Sequence, residues 1–386
     1  MTTIEMDKQY VAGTYNRFPV EIVSGKGSLV YDADGREYID MGSGIGVTSF
    51  GIGDDAWKAA VIAQLDKVQH MSNLYYTEPC AKLASLLCDK TGMSKVFFSN
   101  SGAEANECAI KVARKYAAEH KGSEYSTIIT LKNSFHGRTL TTLAATGQEH
   151  YHELFQPLTP GFIHVTNGDA EELNAAVKNN KVAAVMIECI QGEGGVIPID
   201  PEYAAAVQKV CDDNNILLIV DEVQTGNGRT GKLYAYMNFE LKPDIVSTAK
   251  GIGGGLPLGA TMLSEKVSNV LGHGDHGSTF GGNPIATAGA VSIISRIDDK
   301  LLDEVCEKAQ MVRDELKDAP GIEAVTGLGL MIGIKTKKPA ADVVKACMEA
   351  GVLCLTAKDK VRLLPALNIP KDVLKKAIDI IKRAAV

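Results

Sequence analysis

Between about residue 56 and residue 250, short apolar runs alternate with segments of helical period, and few folds accept that pattern. Helical spacing marks Trp57–Val68, Ala81–Cys88, Ala105–Ala118 and Ala204–Asn214. The segments Val96–Ser99, Thr127–Leu131, Val182–Glu188, Ile216–Asp221 and Ile245–Thr248 are short and largely apolar. A strand covered on both faces reads as such a run, and strands alternating with helices build a largely parallel sheet. The expected fold class is therefore α/β.

The chain has 386 residues, beyond the ~250–300 at which a single hydrophobic core stops growing, so at least two domains are expected. Residues 1–55 read as a β-rich arm that packs with a small domain; its β-like runs, Val20–Val23 and Leu29–Asp32, flank the turn signal Gly25–Gly27. Residues 56–282 form the large domain, which ends in the glycine-rich stretch Gly251–Gly282. Residues 283–386 form the small α+β domain, with apolar runs near Leu328–Ile334 and Val352–Leu355 and an amphipathic Val373–Ala385.

A net charge of −7 gives no electrostatic footprint for nucleic acid. The N-terminus lacks a basic segment followed by an apolar one, and no stretch reaches the ~18 uninterrupted apolar residues of a membrane span, so a cytosolic protein without membrane partners is expected. Eight cysteines without a C-x-x-C pair or a histidine cluster read as reduced, mostly packed thiols, and no metal site is expected.

The chemistry concentrates between Ile216 and Lys250. ILLIVD reads as a buried strand ending in Asp221, and STAK ends another at Lys250. Ligands of open α/β sheets sit at the carboxyl ends of the strands, so this acid and this lysine should face one crevice. A lysine amine condenses with an aldehyde only when neutral, which requires desolvation or nearby positive charge. A carboxylate beside a pyridine nitrogen keeps that nitrogen protonated, as an electron-sink cofactor requires. Taken alone, Asp221 could equally cap a helix and Lys250 could be solvated.

A phosphate site is suggested by VFFSNSGAEANECAIKVARK, which reads as strand, tight turn and helix and leaves the N–H groups near Gly102 and Ala103 at a helix N-terminus. Capping by Ser101 alone would explain the same turn. Gly226, Gly228, Gly231 and Lys232 imitate nucleotide-binding loops, but Leu233 stands where a Mg²⁺-binding hydroxyl is needed and no helix opens there. The histidines show no zinc-protease spacing and the chain has no serine elbow, so no role is read for them.

With these residues in place the chain resembles the class III (ω-amino) aminotransferases of PLP fold type I, nearest to their acetylornithine branch. The resemblance runs through SNSGAEANE, SFHGRT, IQGEGG, DEVQTGNGRTG, AKGIGGGLPLGA, GSTFGGNP and VRLLPALN. It implies a large domain with a mostly parallel seven-stranded sheet, pyridoxal 5′-phosphate as cofactor, and a homodimer with shared active sites. It further implies that Lys250 carries the cofactor and shuttles the proton, and that Asp221 pairs with the ring nitrogen. Val223 and Phe135 would lie on the two ring faces, Gln224 at the ring hydroxyl, and Gly102 and Ala103 at the phosphate, joined by Thr279 of a second subunit. Arg138 and Ser278 would orient the carboxylate remote from the reacting amine. Arg362 would bind the α-carboxylate of glutamate, with Glu193 pairing Arg362 when the other substrate is present.

The implied reaction moves the ω-amine of N-acetylornithine to 2-oxoglutarate; ornithine and N-succinylornithine are the alternative donors. Another PLP reaction, or a PLP-binding regulator without turnover, is a further alternative, and the intact Lys250 and Asp221 weigh against the regulator. One run departs from the family and one position from its ornithine branch. Where members carry Gly-His-x-His-Pro, this chain has Gly51-Ile52-Gly53-Asp54-Asp55, and where ornithine aminotransferases carry a tyrosine in the first glycine cluster, GSGIGV places Ile45.

Overall fold

The computed structural model describes residues 1–386. Seven strands form the central sheet: β1 (Lys95–Ser99), β2 (Thr127–Leu131), β3 (Phe162–Val165), β4 (Val182–Ile187), β5 (Leu217–Asp221), β6 (Ile245–Thr248) and β7 (Gly259–Leu263). Their spatial order is β1-β7-β6-β5-β4-β2-β3. Strand β7 runs antiparallel to both of its neighbours, and the remaining strands share one direction. Every residue of β4 and β5 is buried, which is why neither shows a polar alternation in the sequence.

The helix Gly102–Lys121 packs on this sheet through Ala105, Cys108, Ala109, Val112, Ala113 and Tyr116, all buried. These positions recur at three- and four-residue intervals and make one stripe of the helix. Small side chains along the stripe bring the helix close enough for the Thr261 hydroxyl on β7 to donate to the carbonyl of Ala105 at 2.8 Å.

At the N-terminus, the strands Ile22–Lys26, Leu29–Asp32 and Glu37–Asp40 form an antiparallel meander whose fourth strand, Val352–Leu353, comes from near the other end of the chain and runs parallel to Glu37–Asp40. A second four-stranded sheet pairs Ile322–Leu328, Met331–Thr336, Lys360–Leu363 and Leu355–Ala357. Helices Ala340–Glu349 and Lys371–Ala385 pack together beside it. The helix Pro284–Ser295, in contrast, packs on Asp55–Leu65 and Glu78–Thr91.

The run Gly51–Asp55, where the resemblance implied Gly-His-x-His-Pro, has its own solution. Asp54 caps the helix Asp55–Leu65, accepting from the Trp57 N–H at 2.9 Å, and its carboxylate takes both terminal nitrogens of Arg296 at 2.7 and 3.1 Å. The Arg296 guanidinium in turn lies 4.0 Å from the ring centroid of Phe50. Gly51, at φ +80°, could not carry a side chain, because a Cβ there would stand 2.6 Å from the carbonyl oxygen of Gly27.

Candidate active site

The carboxyl ends of β1, β2, β4, β5 and β6 open on a cavity of about 480 Å³. Asp221 closes β5. Lys250 does not end β6, as its sequence suggested; the strand stops at Thr248 and Lys250 opens a short 3₁₀ turn, Lys250–Ile252, with φ +49°. A positive φ ends the extended run. The turn is held on both flanks: Asn227 donates to the Thr248 hydroxyl and the Ala249 carbonyl, Ser49 to the Gly251 carbonyl, and Trp57 to the Gly253 carbonyl. Burial lowers the Lys250 pKa below the ordinary lysine value, with Arg362 adding to the effect and Glu193, Asp221 and Glu188 opposing it. The neutral amine needed for condensation with an aldehyde is thereby favoured.

Asp221 is held by three donors. The amide of Asn106 reaches Oδ2 at 2.7 Å, His136 Nδ1 reaches the same oxygen at 2.8 Å, and the Val223 N–H reaches Oδ1 at 2.9 Å. His136 is buried, and burial alone would strip its proton; the hydrogen bond and charge of Asp221, with Glu188 adding, outweigh that and raise its pKa above the usual imidazole value. Glu188 follows β4 and is also buried; its two oxygens accept from the N–H groups of Phe135 (3.0 Å) and Gly192 (3.4 Å). Burial raises its pKa, with His136 opposing and Asp221 adding.

No role was read for His136, Asn106 or Glu188 from the sequence, and the dismissal of the histidines is corrected by His136. Signals existed: His136 adjoins Phe135 in SFHGRT, Asn106 lies one helical turn after Gly102 and so on the same face, and Glu188 ends an apolar run much as Asp221 does.

Gly102 and Ala103 open the long helix behind the cap of Ser101, whose hydroxyl accepts from the Glu104 N–H at 3.2 Å. Their own N–H groups have no partner within the helix and line the cavity. Gly102 is required by a close approach, since a Cβ there would stand 2.6 Å from a methyl of Val223. Phe135, Arg138, Val223 and Gln224 line the same cavity.

Beside Gln224, Arg362 donates to Glu193 Oε1 at 2.5 Å and to the Gln224 side-chain oxygen at 3.1 Å, while the Gln224 amide donates to Glu193 at 3.2 Å. Arg362 is buried, and its Nε has no partner. Burial pushes the Glu193 carboxyl up, yet Arg362, Lys250 and Gln224 together hold it below the usual range.

The single chain does not bring every expected residue to the cavity: Glu193 and Arg362 border it only through Gln224. Thr279 is exposed and outside its lining. Ser278 is also outside; its hydroxyl accepts from the Asn100 amide at 3.2 Å and from the Gly281 N–H at 2.9 Å. Ile45, in a left-handed backbone at φ +66°, lines a neighbouring cavity with Phe18 and Val20, and Val47 reaches the main one in its place.

The sequence profile of the aminotransferase class-III family matches residues 10–385. The chain belongs to the class III aminotransferases. It is 50% identical to an acetylornithine aminotransferase of Haemophilus ducreyi, over 98% of this chain and 96% of the relative. Among solved structures it resembles an ornithine aminotransferase from Toxoplasma gondii (TM-score 0.95, 34% identity, 99% of this chain and 94% of that one). It also resembles an N-acetylornithine aminotransferase from Stenotrophomonas maltophilia (TM-score 0.85, 33% identity, 99% and 98% covered).

Class III aminotransferases are pyridoxal-phosphate-dependent transferases. The cavity fits that cofactor: it offers a helix N-terminus for a phosphate, a buried carboxylate with three fixed donors for a ring nitrogen, and a lysine of lowered pKa for the aldehyde.

Proposed function

We propose that this aminotransferase moves the ω-amine of N-acetylornithine to 2-oxoglutarate, releasing the semialdehyde and glutamate, a step of arginine biosynthesis. The observation that carries the ω-amine reading is the Arg362–Glu193 pair. With Arg362 neutralised, Arg138 at the cavity mouth is the cation left to receive a carboxylate, which suits a donor whose only carboxylate is remote from the reacting amine. When glutamate binds, Glu193 releases Arg362 to take its α-carboxylate.

In this reading Lys250 would hold the cofactor, and its amine would move a proton to and from the amine-bearing carbon of the substrate. Asp221 would face the ring nitrogen and keep it protonated, Phe135 and Val223 would flank the ring, and Gly102 and Ala103 would bind the phosphate. Pyridoxal phosphate, when bound, supplies the electron sink for ionisation at that carbon. The Arg362 and Arg138 contacts would orient the substrate and so decide which of its bonds ionises.

The cradle is completed by Thr279 of a second copy in a homodimer. Exposure of Thr279, together with the outward apolar side chains Leu74, Tyr75, Tyr76 and Phe280, supports such an interface. Ornithine is the second reading for the donor, favoured by the Toxoplasma fold similarity; the higher identity to the Haemophilus relative favours the acetylated one. A panel of ornithine, N-acetylornithine and N-succinylornithine with 2-oxoglutarate, read by glutamate formation, decides between them. Absence of glutamate with every ω-amine would overturn the proposal.

A further inference from the structure

Arg138 carries five N–H donors, and none of them makes a hydrogen bond or ion pair within the chain. It is nevertheless placed. Its guanidinium lies 5.6 Å from the ring centroid of Phe135 and 4.7 Å from that of Tyr151, and the two rings meet edge-on, 6.0 Å apart at 72°. Tyr151 is in turn a built position, at the end of the 3₁₀ turn Glu149–Tyr151. On one side of the turn the buried Gln148 donates to the Ser134 carbonyl at 3.0 Å; on the other, His152 Nε2 lies 2.8 Å from the Leu143 carbonyl. The ring of His150 backs that of Tyr151 at 3.8 Å. The turn is therefore fastened to the loop that carries Phe135 and to the helix Leu140–Ala145.

We propose that Tyr151 is a positioning residue for substrate carboxylates, holding Arg138 against Phe135 so that its unpaired donors face the anion. The proposal rests on the reading of Arg138 given above. A free arginine side chain has about 2 kcal/mol of rotamer entropy to lose on binding. Confinement between two aromatic faces removes part of that loss before the substrate arrives, and the cation–π contact leaves the N–H edge open for a carboxylate. Phe135 would thus serve both the arginine and, in the reading above, the cofactor ring. The tyrosine hydroxyl takes no part in the clamp, so the aromatic face alone is required.

The test uses holoenzyme carrying Tyr151→Phe, Tyr151→Leu, Arg138→Ala and the Tyr151→Leu/Arg138→Ala pair. Two quantities are read: KM and kcat for the ω-amine donor, and the calorimetric dissociation constant of glutarate, a dicarboxylate that does not react. A cation–π contact is worth roughly 0.5–2 kcal/mol, so Tyr151→Leu should raise KM and the glutarate constant about 2- to 30-fold, with kcat within about twofold. Tyr151→Phe should stay within about twofold of wild type, and Tyr151→Leu should add nothing in the Arg138→Ala background. Should Tyr151→Leu not fold, Tyr151→Met gives the same contrast. A fall in kcat with KM unmoved, or an equal penalty with and without Arg138, overturns the clamp. If Arg138→Ala weakens glutarate while Tyr151→Leu does not, the clamp alone fails; if Arg138→Ala leaves both quantities unchanged, the carboxylate role of Arg138 fails and takes the clamp with it.

Discussion

His136 Nδ1 stands 2.8 Å from Asp221 Oδ2, with both residues buried, so the carboxylate assigned to the ring nitrogen is held from behind by a ring of raised pKa. Loss of a hydrogen bond to a charged group costs about 1.5–3 kcal/mol, or roughly 10- to 100-fold in rate if it is felt only in the transition state. His136→Leu is expected to lower kcat in that range while changing cofactor affinity far less, and His136→Gln, which keeps a donor, should recover part of it. Cofactor titration beside single-turnover rates checks both, and equal losses in affinity and rate would count against the positioning role.

Lys250→Ala is expected to lower turnover by at least ~100-fold, the ordinary scale of a lost proton-transfer group. The variant should still bind pyridoxal phosphate without the covalent linkage. Borohydride followed by peptide mass analysis should label wild type at Lys250 and leave the variant unlabelled; label elsewhere in wild type would reject the assignment.

Glu193→Ala frees Arg362 from its 2.5 Å partner. The half-reaction with glutamate should then gain relative to the half-reaction with the ω-amine donor, because Arg362 attracts α-carboxylates whether or not the donor is present. Single-turnover rates for the two half-reactions, measured separately, give the ratio. An unchanged ratio would refute the switch.

Glu222 is buried, accepts from the Thr225 hydroxyl and the Tyr236 N–H, and has its pKa pushed by burial from the ordinary 4.5 to about 7. The folded state thus binds a proton that the unfolded state releases. The associated stability is present below pH 4.5 and is lost as pH rises through about 7. At about 1.4 kcal/mol per pKa unit the loss is roughly 3–4 kcal/mol at most. Glu222→Gln mimics the protonated form, so melting temperature between pH 5 and pH 8 should fall less steeply in the variant than in wild type. Parallel profiles would show that Glu222 does not titrate there.

For the donor, kcat/KM for N-acetylornithine should exceed that for ornithine by at least ~10-fold, or about 1.4 kcal/mol. The loop Gly42–Val47 gives Val47 to the main cavity and Ile45 to its neighbour, and neither side chain can hydrogen-bond an α-ammonium. Equal kcat/KM values in wild type would return the enzyme to the ornithine reading.

The parts legible in the sequence were those whose signal is local. Strands β2 and β6 lie at Thr127–Leu131 and Ile245–Thr248, where the apolar runs placed them, because each is closed by polar or glycine-rich loops. Strand β7 was hidden inside the glycine-rich stretch; GATML is made a strand by pairing with β1 and β6, which no local pattern records. The helix Thr3–Tyr10 was missed although Thr2 and Glu5 form a capping box, because it buries no residue and so has no apolar stripe. Likewise Asp221 was visible as the polar end of a strand and Lys250 as a polar residue just beyond one, whereas Asn106 and His136 gain meaning only from the 115- and 85-residue separations that folding closes onto Asp221.

The pairing of Val352–Leu353 with Glu37–Asp40 also governs when the molecule can be finished. During synthesis the three strands of the meander are made well before Val352, so the Glu37–Asp40 edge waits for a partner that lies far along the chain. A strand edge left open through synthesis is a template for pairing with other chains. Docking of the arm is therefore late relative to its own synthesis, and a chain truncated before residue 352 would carry that open edge permanently.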